Sequence, residues 1–102
     1  MKKLNELLEM NKRNIEKGLQ TLKDLIENEN TTRRKIEAVY AYKIQYHIDE
    51  VDEVKKAYKT LNYMNLLDNE TYRKYNNEIK EFYLNVGKTL IEAQRIVESF
   101  EQ

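Results

Sequence analysis

The amino-acid sequence predicts an all-α protein: an elongated, antiparallel, up-down-up bundle of three helices with coiled-coil-like packing. Apolar residues recur in alternating steps of four and three along nearly the whole chain, which is the spacing of helices that bury one stripe. The chain contains no proline and two glycines. Polar breaks near Asn30 and Asp68 are short, and short connections make consecutive helices antiparallel. Residues 1–102 therefore form a single domain.

The first helix is predicted over residues 2–29. Its stripe consists of Leu4, Leu8, Asn11, Ile15, Gly18, Leu22 and Leu25. A glycine inside a helix costs about 1 kcal/mol relative to alanine. Gly18, and Gly87 in the third helix, therefore indicate places where backbones approach closely or a bulky neighbour needs room.

The second helix is predicted over residues 32–67, after a break in which Asn30 or Thr31 can act as the N-cap. Its stripe consists of Ile36, Tyr40, Ile44, His47, Val51, Val54, Tyr58, Leu61 and Asn65. No residue before Leu67 is expected to end this helix, which gives a rod of roughly 50 Å.

The third helix is predicted over residues 69–101. Asp68 is the expected N-cap, and Glu70 lies favourably at the positive end of the helix dipole. The stripe is the most regular of the three and consists of Tyr72, Asn76, Ile79, Tyr83, Val86, Leu90, Ala93, Val97 and Phe100. A bundle completed within one chain is favoured, with a homodimer that shares its core as the alternative.

Charge and composition restrict the function. The 18 basic and 18 acidic side chains balance, so binding to nucleic acid or to an anionic membrane would depend on local charge. The absence of cysteine excludes disulfides and thiol nucleophiles. The first residues reach Glu6 without forming the apolar segment of a signal peptide, and no apolar run approaches the ~18 residues of a membrane span. We therefore expect a cytoplasmic protein without membrane contact.

The candidates for chemistry are few. His47 is the only histidine and lies on the buried stripe, where folding back the chain brings it within one helical turn of Asn11, so we expect a buried structural histidine. Asp49, Glu50 and Glu53 could hold Mg²⁺ only with a second acidic helix to complete the oxygen shell, and the third helix offers no match. We expect no catalytic residues, no metal and no cofactor.

A run of three basic residues, Arg33, Arg34 and Lys35, lies in the first turn of the second helix, where the helix dipole disfavours positive charge. An internal explanation is pairing with acidic residues at the same end of the bundle, namely Glu27, Glu29, Glu98 and Glu101. The functional explanation is an acidic partner molecule.

Three tyrosines of the second helix lie away from its buried stripe. Tyr42, Tyr46 and Tyr63 are each about 200° round the helix from a stripe residue two positions earlier. Either neighbouring helices enclose these rings, or they form an exposed aromatic patch. Because tyrosine and arginine are enriched at binding hot spots, the predicted partner-binding residues are Arg33, Arg34, Lys35, Tyr42, Tyr46 and Tyr63.

These patterns favour a small non-enzymatic protein that acts as an inhibitor or adaptor by covering a surface of another protein. Its size and a composition typical of AT-rich genomes fit a phage or mobile-element protein of the anti-CRISPR type, although no motif indicates one. Two alternatives come from other classes of protein. One is nucleic-acid binding through the basic run with stacking tyrosines, and the other is an Mg²⁺-dependent helical enzyme resembling pyrophosphohydrolases.

Overall fold

The computed structural model describes residues 2–28 and 31–99, apart from the side chains at positions 93, 96 and 97. Helix α1 spans Lys2–Glu27 and helix α3 spans Asn69–Ser99. Helix α2 covers residues 33–63 without a break and has three parts, which are α-helical over Arg33–Val39, π-helical over Tyr40–Gln45 and α-helical over Tyr46–Tyr63. The described ranges contain no strand.

Side-chain contacts fix the direction of the helices. His47 of α2 lies opposite Asn11 of α1, whereas Tyr58 lies opposite Asn5, so the two helices are antiparallel. Helix α3 is antiparallel to α2, since Gln94 is bonded to Tyr40 and the more N-terminal Tyr83 lies beside Ile48. The predicted up-down-up bundle is confirmed. It measures 52 × 20 × 17 Å.

One apolar core runs along the bundle, formed by residues of the predicted stripes together with Leu19, Leu67 and Phe82, which lie outside those stripes. Its buried members are Leu8, Ile15, Leu19, Leu22, Ile36, Ile44, Val51, Val54, Tyr58, Leu67, Ile79, Phe82 and Val86. The backbones of α1 and α2 approach closely along most of their length, whereas α3 approaches either of them at fewer positions. Within the described residues, no helix has the length and apolar character that crossing a membrane requires.

The C-terminal end of α2 differs from the prediction, because the helix ends at Tyr63 and not at Leu67. Asn65 adopts a left-handed conformation with φ 61°, which asparagine tolerates better than most residues. The N–H of Asn65 donates to the Asn62 carbonyl, and that of Leu66 donates to the Leu61 carbonyl. These two bonds form a Schellman motif, which stops the helix and leaves Asn65 outside the stripe.

The predicted N-cap residue is correct for α3, whereas the cap of α2 differs from the prediction. Asp68 caps α3 as predicted, accepting a bond of 3.1 Å from the Thr71 N–H. Hydrogen bonds from the side chain and backbone of Thr71 lower the pKa of the Asp68 carboxyl. Helix α2 is capped by Thr32, whose hydroxyl oxygen accepts from the Lys35 N–H at 3.4 Å, and not by Thr31. The other predicted cap, Asn30, lies outside the described residues.

The π-helical segment follows from the spacing of the stripe residues in α2. Ile36, Tyr40 and Ile44 are separated by two consecutive steps of four, one residue more than the alternation of four and three allows. A π turn holds that extra residue, and the N–H of Tyr46 accordingly donates to the carbonyl of Ala41, five residues earlier. Ile36 and Ile44 can therefore both be buried on the same side of the helix.

Gly18 lies where the π segment meets α1. A Cβ atom at this position would lie 2.5 Å from the Lys43 carbonyl oxygen and 3.0 Å from Cγ1 of Ile44. Only glycine allows this approach, which confirms the prediction for Gly18. The same interpretation is wrong for Gly87, because a Cβ there would have no other atom within 4 Å.

A polar cluster joins all three helices near the α2–α3 turn. The hydroxyl of Tyr58 in α2 donates to Oδ1 of Asn5 in α1 at 2.6 Å, and Nδ2 of Asn5 donates to the hydroxyl oxygen of Tyr75 in α3 at 3.1 Å. The two tyrosine rings are stacked with centroids 4.7 Å apart. Burial is the main reason that the pKa of Tyr58 rises to about 12, and the charge of Tyr75 also raises it.

This pKa predicts a loss of stability in alkali. A tyrosine with a pKa near 10 unfolded and about 12 folded stabilises the fold fully below pH 10, and that stabilisation decreases between pH 10 and 12 because only the unfolded state releases the proton. Tyr58→Phe should therefore show a shallower decrease in this range. Urea unfolding of both proteins at several pH values measures the difference, and parallel curves would contradict the prediction.

Candidate functional site

Four residues of α2 form an exposed line at intervals of four, namely Arg34, Ala38, Tyr42 and Tyr46. The side chains of Tyr42 and Tyr46 are 78% and 56% exposed. Lys35, also exposed, follows Arg34 in the first turn. We call these five residues the tyrosine face. Of the two expectations for Tyr42 and Tyr46, the structure selects exposed rings over enclosed ones.

Tyr42 and Tyr46 are one step of four residues apart, across the end of the π segment. In an α-helix each step of four residues rotates the side chain about 40° round the axis. A π turn contains more residues, so the same step within Tyr40–Gln45 rotates the side chain in the opposite sense. Tyr42 and Tyr46 therefore project from one side, one turn apart, and both lie away from the core.

Beneath Tyr46 lies a polar pair that joins α1 to α2. The ring of Tyr46 packs edge-on against His47, with centroids 5.1 Å apart. Nδ1 of His47 lies 2.7 Å from Oδ1 of Asn11. The amide of Asn11 is oriented by its second bond, from Nδ2 to the Leu7 carbonyl at 2.9 Å, so its oxygen faces the ring and His47 donates from Nδ1.

The predicted partnership of His47 and Asn11 is confirmed, but the predicted burial of His47 is only partly correct. Asn11 is 1% exposed, whereas His47 is half-buried at the edge of the α1–α2 interface. The pair supports the tyrosine face from below and fixes the register of the two helices.

The basic run is divided between two roles. Nε of Arg33 pairs with Oε1 of Glu37 at 2.8 Å, one turn along the helix. Within residues 2–28 and 31–99, Arg34 and Lys35 form no ion pair with Glu27, Glu98 or any other acidic residue. The remaining predicted acidic residues, Glu29 and Glu101, lie outside that part of the chain. Arg34 and Lys35 are thus exposed cations beside exposed aromatic rings.

Two further exposed cations lie where α1 meets the π segment, and the sequence pattern did not indicate them. The backbone of Lys43 contacts Gly18, and Lys17 immediately precedes Gly18, so both lysines lie at the α1–α2 contact. Both side chains are exposed. The glycine in the α1 stripe was a signal of this contact, but identifying its partner required the register of the two helices.

Tyr63 is not part of the tyrosine face. It lies 17 residues beyond Tyr46, roughly 25 Å along the helix at 1.5 Å per residue. Its ring is 88% exposed at the end of α2, beside Met64 and Leu66, which are 57% and 65% exposed. Met64 and Leu66 were not predicted to be exposed here, because the apolar spacing predicts a helix that continues through this turn to Leu67. We call these three residues the apolar tip.

The acidic residues of mid-α2 make local contacts. Asp49 accepts a bond from Nε2 of Gln45 at 2.9 Å, and Glu53 pairs with Lys56 at 3.3 Å. In the described parts of the chain, no three histidine, aspartate or glutamate side chains are grouped so that they could hold a metal ion.

Comparisons of this chain with protein-family models, with curated proteins and with solved structures found no match.

Proposed function

We propose that this chain is a non-enzymatic protein-binding module, which acts as an inhibitor or adaptor by covering a surface of a partner protein with the tyrosine face. The observation that carries the proposal is the alignment of Tyr42 and Tyr46 as exposed rings in line with Arg34. Tyrosine and arginine are the residue types that dominate binding hot spots. An inhibitor carried by a phage or mobile element is one form of this proposal, and it rests on size and composition alone.

The N-terminal turn of α2 supports the proposal because its residues are poorly chosen for folding. Thr32 is the N-cap, and Lys35 occupies the position three residues later where glutamate would complete a capping box. Arg34 and Lys35 both oppose the helix dipole. A sequence selected only for stability would carry acidic side chains here, so the cations support a role in contact with a partner.

The charges around the rings also indicate the chemistry of the partner. Arg34 and Lys35 are exposed on the tyrosine face, and Lys43 is exposed next to Tyr42. Glu37 is paired with Arg33, and Glu50 continues the line of residues past Tyr46. An acidic protein surface with an apolar centre would complement this arrangement, since the rings supply contact area and the cations orient the approach.

Charge reversal tests the face. The double variant Arg34→Glu/Lys35→Glu should bind the partner at least tenfold more weakly, with less dependence on salt, because steering by charge is lost. The same variant should be slightly more stable than the natural chain, since Glu at position 35 completes the capping box. Calorimetric titration and thermal unfolding measure the two effects.

The matched control is Lys88→Glu/Arg95→Glu, which makes the same change of charge at exposed positions of α3. It should leave affinity nearly unchanged. Equal loss of affinity in both double variants would mean that only net charge matters and would contradict a specific face.

The partner itself can be identified by photo-crosslinking in cells of the source organism. A benzophenone amino acid is placed at Tyr46 or, as the control, at Leu84, which is 68% exposed on α3. A protein captured only from position 46 supports the proposal. Capture of nucleic acid, or of the same proteins from both positions, would contradict it.

A further inference from the structure

The apolar tip is a second exposed surface that the tyrosine face does not include. Tyr63, Met64 and Leu66 are 88%, 57% and 65% exposed, and neighbouring exposed apolar side chains often mark a binding surface. The tip lies at one end of the 52 Å axis, where the chain turns from α2 into α3.

The turn holds these side chains outward. Nδ2 of Asn62 donates both to the Leu67 carbonyl at 3.0 Å and to Oδ1 of Asn69 at 2.8 Å, which links the two helix ends. The Schellman bonds of Asn65 and Leu66 complete the turn. Leu67 is consequently 6% exposed in the core, while the preceding Leu66 is 65% exposed. The exposure of the tip follows from a defined turn and not from a frayed helix end.

Basic side chains outnumber acidic ones at the end of the bundle that carries the apolar tip. Helix α1 begins at this end of the bundle, because Asn5 contacts Tyr58 and Tyr75. The exposed cations of the three helix ends are Lys2, Lys3, Lys59, Arg73 and Lys74. The acidic residues at the same end are Glu6, Asp68 and Glu70, and Asp68 is engaged in the N-cap of α3. The local charge is therefore positive, although the whole chain is neutral.

We propose that the apolar tip is a membrane-docking element, which inserts Tyr63, Met64 and Leu66 into the interfacial layer of a bilayer that contains anionic lipids. Tyrosine is suited to this layer because its ring is apolar and its hydroxyl is polar. Apolar side chains and cations on one surface are the two attractions that hold peripheral proteins on anionic membranes. The long axis of the bundle would then stand away from the membrane.

Two other occupants fit less well. A second copy of the chain would bury only the three residues of this tip. Three side chains cannot supply the ~800 Å² of buried surface per partner that a stable interface needs. A pocket on a protein would enclose the apolar residues but would leave the cations of three helix ends without a role. The proposal departs from the expectation of no membrane contact, because that expectation rested on net charge and this surface depends on local charge.

Vesicle co-sedimentation of the full chain tests the proposal. The natural chain should sediment with vesicles of phosphatidylcholine and phosphatidylserine, weakly with phosphatidylcholine alone, and less as salt is raised. Tyr63→Ser/Leu66→Ser should reduce binding at least tenfold. The matched control Leu84→Ser/Ile91→Ser removes two exposed apolar side chains from α3 and should bind like the natural chain.

Circular dichroism confirms that each variant is folded before vesicles are added. Absence of sedimentation by the natural chain would overturn the proposal, as would undiminished binding of the tip variant. Light scattering tests the second copy, and a dimer that depends on Tyr63 and Leu66 would replace the lipid surface as occupant. Loss of vesicle binding in Arg34→Glu/Lys35→Glu, with the tip variant unaffected, would assign membrane binding to the tyrosine face.

Discussion

Replacement of Gly18 by alanine should lower the free energy of unfolding by about 2–3 kcal/mol, the usual cost of an added methyl group in a packed interface. The added Cβ would lie 2.5 Å from the Lys43 carbonyl oxygen, and a backbone oxygen within a helix cannot move aside as the end of a side chain can. The clash outweighs the gain of about 1 kcal/mol that alanine normally brings to a helix interior.

Gly87→Ala is the matched control for this experiment. Among the described residues, no atom beyond the local helix backbone lies within 4 Å of the position that its Cβ would occupy, so the same substitution in α3 should stabilise the protein by up to about 1 kcal/mol. Urea unfolding of both variants gives the comparison. Changes of the same sign and size would show that α1 and the π segment are not packed as described.

Replacement of both Tyr42 and Tyr46 by alanine should weaken binding of the crosslinked partner by more than about 2 kcal/mol, the level that defines a hot spot. Because these rings are 78% and 56% exposed, the melting temperature should change little. The small loss expected comes from the contact of Tyr46 with His47.

Leu84→Ala/Ile91→Ala provides the comparison, since it removes two side chains that are 68% and 51% exposed on another helix. Full affinity in this control, with loss in the tyrosine variant, assigns the site to α2. Full affinity in both would contradict the tyrosine face as the binding surface. Unfolding of the tyrosine variant would show that the rings are needed for the fold.

Sequence spacing predicted most of the buried residues, because side chains three or four positions apart lie on the same side of a helix, but it did not include Phe82 or Leu67. It could not predict where α2 ends. Asn65 and Asn76 both occupy stripe positions, yet Asn65 is left-handed in a turn and Asn76 lies within α3. The helix ends before Asn65 because Leu67 is buried in the core, and the turn that follows Tyr63 places it there. Spacing alone does not contain this information.

The candidate site was predictable in its parts and not in its grouping. The outward direction of Tyr42, Tyr46 and Tyr63 followed from their angle to the stripe. Tyr42 and Tyr46 share a surface, whereas Tyr63 does not. This grouping depends on the length of α2 and on the extra residue in the π segment. Arg33 pairs with Glu37, one turn along the same helix. This pair was not predicted, because the expected acidic partners lay at the ends of the other helices.

In evolutionary terms, the π segment makes α2 one codon longer than the bundle requires. Deleting one residue within Tyr40–Gln45 would let an ordinary α-helix connect Ile36 to the rest of the core in the same two turns. The Lys43 carbonyl would then lose its approach to α1, and position 18 would no longer require glycine. The extra residue in α2 and the glycine in α1 are thus expected to depend on each other, because they meet at one contact.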